Sequence, residues 1–387
     1  MRLLTAGESH GPGLVVILDR VAAGLKLEAA DIDRQLQRRQ RGYGRGERMR
    51  IERDEVEIRS GVRFGETIGS PIALLISNRD WENWRELMAA AGEPKGAAVT
   101  VPRPGHADFG GALKYGRRDL RDVLERASAR ETAARVAAGA VARKLLARIG
   151  VELWSRVLAI GNAQAPEDDR PWPQLRDAAE ASDVGCTDDS TAAAMRAEID
   201  AAREAGDSVG GLFEVMAQGV PVGLGSYAQW DMRLDGRIAQ AMMSIPGIKG
   251  VEIGLGFAAA GARGSEVHDA FAPGIGPARI ARPSNRAGGI EGGVSNGEPV
   301  VVRAAMKPIP TLTRPLDSVD LATGERARAH AERSDVCAVP AARIVGEAML
   351  ALVLADAVTD KFGHDTMAEI ERNLAAYLDS LGAERNR

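Results

Sequence analysis

Two of the five histidines in this 387-residue chain stand among small residues, His10 in TAGESHGPG and His106 in PRPGHADFGG. Glycine neighbours let backbone come close to a ligand, and imidazole is the side chain best suited to proton transfer near neutral pH. His268, His330 and His364 lack such surroundings and read as surface residues. Residues 38–48 (RRQRGYGRGER) mix arginines with three glycines. A guanidinium pairs bidentately with phosphate or carboxylate, so this run suits an anionic small molecule. A solvated loop and an RNA-binding segment are the competing readings. Ser128 with Glu131 matches a helix-capping box, and Arg126 and Arg130 beside it would flank an anion site at a helix start. Residues 281–297 (ARPSNRAGGIEGGVSNG) are too glycine-rich for a helix or a long strand. Lys307-Pro308-Ile309-Pro310-Thr311 joins a lysine to stiff backbone, and Arg333 and Asp335 fall on one side of an extended segment.

The elements that must hold these residues follow from periodicity. Thr132–Arg148 places Ala133, Val136, Ala137, Ala140, Val141 and Leu145 on one helical face. A second, more exposed helix spans 191–205. Pro340 and Gly363 bracket a third over 341–362, apolar nearly all round and therefore sandwiched between other layers. Apolar runs at 14–18, 72–76, 151–160, 212–215 and 300–302 read as strands, and 49–62 alternates like a half-buried strand or hairpin. Strands and helices without a regular βαβ beat indicate an α+β layered fold. Residues 163–190, with three prolines, read as a surface excursion, and 380–387 as a flexible tail, of one domain covering 1–387.

Composition narrows the class. With 45% hydrophobic and 27% charged residues the chain can bury a large core. The formal net charge of −4 disfavours a general nucleic-acid partner. Seven of the 50 basic residues are lysines, leaving 43 arginines; codon bias accounts for such an excess, so only clustered arginines carry an argument. The two cysteines are too few for a disulfide framework, which points to a reducing cytoplasmic compartment. Nothing at the amino terminus reads as a signal peptide, and Glu347 and Asp356 interrupt the most apolar stretch, so no membrane span is expected. No Walker loop occurs, and Gly254-Leu255-Gly256 lacks the acidic residue a dinucleotide turn requires.

Taken in order, GESHG (7–11), RRQRGYGRG (38–46), RPGHAD (103–108), RASARET (126–132), SNRAGGIEGG (284–293), KPIPT (307–311) and RSDVCAVPAA (333–342) resemble the chorismate synthases over nearly the whole chain. Arg20 and Ala22 depart from that pattern, which has glycine and proline there. The resemblance implies a βαβ sandwich with antiparallel strands and buried helices, assembled as a homotetramer. It implies a lyase that eliminates phosphate and a C6 proton from 5-enolpyruvylshikimate 3-phosphate, with reduced FMN required but no net oxidation. NADPH is a candidate source of reducing equivalents, and because 387 residues leave no obvious spare domain for a flavin reductase, reduction is expected to come from an external one. Arg39, Arg45, Arg48, Arg103 and Arg130 would bind substrate or NADP. Arg126, Ala127, Ser128, Pro246, Gly247, Gly292, Lys307, Pro308, Ile309, Pro310, Thr311 and Arg333 would hold FMN. His10, His106, Asp335 and Ser9 would handle protons, His10 at the departing phosphate. The alternative is an FMN-dependent oxidoreductase reusing the same flavin cradle.

Overall fold

In the computed structural model, which describes residues 1–46, 53–330 and 334–382, two antiparallel sheets enclose a layer of helices. The first sheet runs in the order Arg2–Ala6, Gly13–Asp19, Ile72–Ser77, Val56–Ser60, each neighbour antiparallel. Period-2 patterning sets its faces: Leu14, Val16, Leu18, Ile72, Leu74 and Ile76 are buried, while Leu4 and Val15 are exposed on the other side. The second sheet runs Ile248–Ile253, Val300–Met306, Gly211–Gln218, Glu152–Ile160, Ala163–Gln164, again antiparallel throughout.

Between the sheets lie the helices Ala29–Gln40, Thr132–Arg148 and Val339–Phe362. Thr132–Arg148 and Val339–Phe362 cross so closely that a Cβ at Gly139 would stand 2.3 Å from the Cβ of Ala348. Only glycine permits that approach. The α+β sandwich expected from the sequence is the fold observed. The Val339–Phe362 helix ends at Gly363, φ 96°, where its apolar pattern stops.

That helix is less purely apolar inside than its sequence suggests. Glu347, 3% exposed, accepts from Arg38 at 2.7 Å and from Ser155 at 2.6 Å, and also from Arg143. Arg343 reaches Glu180 at 3.0 Å, and Arg38 reaches the same carboxylate at 2.5 Å. Arg38, its side chain 13% exposed, is thus a structural ion and not part of a solvated patch. The guanidiniums hold Glu347 well below the usual carboxylate range despite the opposing effect of burial.

Four local expectations change. Residues 163–190 contain the helix Trp172–Ala181, whose Leu175 and Ala179 are buried, so the stretch is partly core. The 49–62 strand begins only at Val56, with 49–52 outside the described residues. His330 is half-buried, unlike the exposed His268 and His364. Residue 380 closes the helix Met367–Ser380, and the rest of the expected tail from 383 lies outside the described residues.

Candidate functional site

His10 follows the edge strand Arg2–Ala6, in a tight loop whose Gly7 has φ 104°. A Cβ on Gly7 would come within 2.2 Å of the Gly13 carbonyl oxygen, so the turn needs glycine. The Glu125 carboxylate meets His10 twice: Oε1 lies 2.8 Å from Nδ1, and Oε2 accepts the His10 backbone N–H at 2.8 Å. Trp84 stacks on the imidazole at a 3.9 Å centroid distance and 21° between planes. Ser9, 3% exposed, lies 3.2 Å from the Ser128 hydroxyl.

Asn78 joins this loop to the arginines. Its Nδ2 donates to the carbonyls of Glu8 and Gly11 at 3.1 and 2.8 Å, and its Oδ1 accepts from Arg130 Nε at 3.0 Å. Arg130 Nη1 donates to Asp54 at 2.5 Å, and Arg39 Nη1 lies 3.6 Å from the other Asp54 oxygen. Arg45 pairs with Asp335 at 2.9 Å, and Asp335 accepts the Gly46 N–H at 2.7 Å. Three guanidiniums therefore share two carboxylates. Burial, opposed by Asp54 but reinforced by the charges of Arg45 and Arg130, brings the Arg39 guanidinium down to about 10. Its Nη1 has no hydrogen-bond partner among the described residues. A buried donor set of this kind suits the oxygens of an anion.

A second charged group surrounds His106. Its Nδ1 is 2.5 Å from Asp108, which also accepts from Arg103 Nε at 2.8 Å. Burial would raise the Asp108 carboxyl, but the His106 and Arg103 hydrogen bonds hold it far below the usual range. Arg103 continues to Thr311 Oγ1 at 3.0 Å, and Lys307 Nζ donates to the Gly105 carbonyl at 3.0 Å. The Lys307–Thr311 segment connects back to Asp335 through residues 208 and 209: Ser208 donates to the Ile309 carbonyl at 2.6 Å, and the Val209 N–H to the Val336 carbonyl at 3.0 Å. Burial lowers Lys307, aided by nearby Lys249.

Most expected residues thus converge. Lys307 N donates to the Gly247 carbonyl at 2.9 Å, placing the Pro246-Gly247 turn beside the 307–311 segment. Arg126 donates to the Gly7 and Thr5 carbonyls at 3.1 Å each, next to Ala127 and Ser128. Gly292 stands apart: the adjoining Gly293 carbonyl accepts from Leu234 at the start of the helix Leu234–Met243, with Pro246 beyond its other end. Ten residues of helix separate the two by about 15 Å. Arg48 and Arg333 lie outside the described residues.

The capping box takes a different form from that expected. Ser128 accepts the Arg130 N–H at the start of the short turn Ala129–Glu131, while Glu131 accepts from Thr5 at 2.9 Å and from Arg135 at 2.9 Å. Glu125, Asp108, Asp54, Asn78 and Trp84 are site residues that sequence reasoning did not single out. Asp108 and Glu125 lie inside or next to quoted motifs, so their position was a usable signal. Asp54, Asn78 and Trp84 had none.

The family model for chorismate synthase matches residues 1–359. A chorismate synthase from Desulforudis audaxviator is 58% identical over 387 residues, covering 100% of this chain and 99% of that protein. One from Aquifex aeolicus is 55% identical, with 98% of each chain covered. A crystal structure of chorismate synthase superimposes with a TM-score of 0.81 at 45% identity, covering 99% of this chain and 98% of that one.

Proposed function

The chain belongs to the chorismate synthase family, and its activity is that family's lyase reaction, from which premise we propose how its own residues carry out the elimination. The arrangement that best supports the reading is the buried cluster of Arg39, Arg45 and Arg130, whose positive charge exceeds that of Asp54 and Asp335 and which Asn78 ties to the His10 loop. The substrate, 5-enolpyruvylshikimate 3-phosphate, carries a phosphate and two carboxylates. In this reading the cluster binds those anions, with Arg103 from the His106 loop adding a fourth guanidinium, and it excludes water from the reacting bonds. His10 gives a proton to the departing phosphate. Asp335 and Ser9 carry the proton removed at C6, and His106 maintains the protonation of the cofactor.

The cofactor proposed is reduced FMN, which when bound would lend electron density to the allylic system without net redox change. The residues that would hold it include the cations Lys307 and Arg126, the Ser128 hydroxyl, and the Pro246-Gly247 turn, which is hydrogen-bonded to Lys307 at the start of the proline-stiffened 308–311 backbone. Arg333 joins them by resemblance, as does Gly292, although it lies at the far end of the helix Leu234–Met243 from Pro246. NADPH is the proposed source of electrons, delivered by an external flavin reductase. The oxidoreductase alternative is not favoured, given full-length relatives at 58% and 55% identity.

A homotetramer is proposed on the same footing. Tyr227, Trp230, Phe257, Phe271 and Ile275 are each at least 65% exposed, large apolar side chains of the kind that subunit contacts cover. Cytoplasmic residence agrees with free, buried Cys186 and Cys337. Among the described residues no helix is long and apolar enough to cross a membrane.

Calorimetric titration of the substrate onto the FMN-bound protein tests the anion site. Arg45→Ala should weaken binding about ten- to a hundredfold. Unchanged affinity removes this cluster from substrate binding.

A further inference from the structure

Glu125 has no part in the elimination as set out above, yet it is 1% exposed and touches a histidine proposed to act on the substrate. Its hydrogen bonds restrict what it can be doing. Oε2 accepts the backbone N–H of His10 at 2.8 Å, and Nδ1 of the same residue faces both oxygens, 2.8 Å from Oε1 and 3.0 Å from Oε2. Its own carbonyl accepts the Ser9 N–H at 3.0 Å, so residue 125 grips two consecutive residues of the loop. The remaining freedom of the ring is rotation about its long axis, which Trp84 blocks by stacking face to face at 3.9 Å. Trp84 is itself anchored, with Nε1 donating to Asp80 at 3.0 Å and the Arg121 guanidinium 5.6 Å from its ring centroid.

We propose that Glu125 is the positioning residue for His10: it holds the imidazole as the Nδ1–H tautomer and so makes Nε2 the nitrogen that works on the substrate. A carboxylate is an acceptor only, so an imidazole nitrogen paired with it carries the hydrogen. The second site histidine differs: buried Asp108 lies 2.5 Å from Nδ1 of His106, but Nη2 of Arg103, a donor only, stands 3.1 Å from the same nitrogen, so His10 is the histidine whose Nδ1 contacts point to one tautomer. The inference rests on the role of His10 in the elimination only for its kinetic consequence; the tautomer is a property of the protein itself.

Glu125→Gln discriminates because glutamine has one acceptor where glutamate has two. Its amide NH2 either opposes the His10 backbone N–H, or takes the Oε1 place 2.8 Å from Nδ1, where it favours an unprotonated Nδ1 over donation to the single remaining oxygen at 3.0 Å. Solid-state nitrogen-15 spectra of histidine-labelled protein, with His10 assigned by its loss in His10→Ala, read the tautomer directly. The neutral wild-type ring is expected to carry hydrogen on Nδ1, and the Glu125→Gln ring on Nε2. Turnover of Glu125→Gln is expected to fall about 10- to 100-fold with KM little changed, and Glu125→Asp, which keeps two acceptors, to recover part of the loss. Hydrogen on Nε2 in the wild-type protein would overturn the proposal, and that observation requires neither activity nor a folded Glu125 variant. Full turnover in a Glu125→Gln protein that keeps the wild-type tautomer would overturn it equally. A protein with the expected tautomers but no elimination activity would count against the proposed reaction and leave the role of Glu125 standing.

Discussion

Arg45 and Asp335 form an ion pair at 2.9 Å, joining the glycine-rich arginine loop to the segment that leads into the long buried helix. The pair places a candidate proton carrier directly beside a candidate anion ligand. Asp335→Asn keeps the shape and one acceptor for the Gly46 N–H but loses the base. In single-turnover flavin absorbance measurements it should slow the elimination about 100-fold or more while FMN still binds. A normal rate would remove Asp335 from proton transfer.

Glu347 and Asp108 are ionised far below their ordinary values of 4.5 and 3.8, because neighbouring cations outweigh their burial. For groups lowered in the folded state, the stabilisation is fully present above the unfolded value and is lost as pH falls through the folded one. Urea midpoints should therefore hold steady down to about pH 5 and then drop. Glu347→Gln should cost about 3 kcal/mol at pH 7, since Arg38 and Arg143 lose a buried partner. The gap between variant and wild type should narrow as pH drops below 4.5. A gap independent of pH would show that Glu347 matters through packing alone.

Arg20 adopts φ 62°, in the left-handed region, where its side chain is strained and glycine is not. With Ala22, it is one of the two positions at which the sequence departs from the pattern the resemblance leads one to expect. Arg20→Gly should add up to about 1 kcal/mol of stability after glycine's greater unfolded entropy is set against the relieved strain, read as a higher urea midpoint at unchanged slope. A lower midpoint at unchanged slope would mean that the arginine makes a compensating contact.

The layered fold was legible because the deciding signals are local. Thr132–Arg148 and the 341–362 helix follow from apolar periodicity and from Pro340 and Gly363, and the strands from short apolar runs. Much of the site could be named for a different reason, the ordered set of motifs containing His10, His106 and Asp335. What could not be read was pairing across the fold. Nothing near Asp54 indicates that it sits between Arg130 and Arg39, and nothing near Asn78 indicates that it spans from Arg130 to the His10 loop. Arg38 and Arg39 are adjacent and identical in type, yet one is locked to Glu347 and the other belongs to the guanidinium cluster around Asp54. Helical phase against a buried partner separates them, and composition carries no record of it.

The central claim is an elimination that needs reduced flavin but does not consume it. Its most direct test is an anaerobic assay with 5-enolpyruvylshikimate 3-phosphate and FMN reduced by dithionite, following chorismate, phosphate and flavin absorbance together. Chorismate and phosphate should form in equal amounts over many turnovers, with the flavin still reduced at the end. Oxidation of the flavin in step with product, or turnover without phosphate release, would contradict the account.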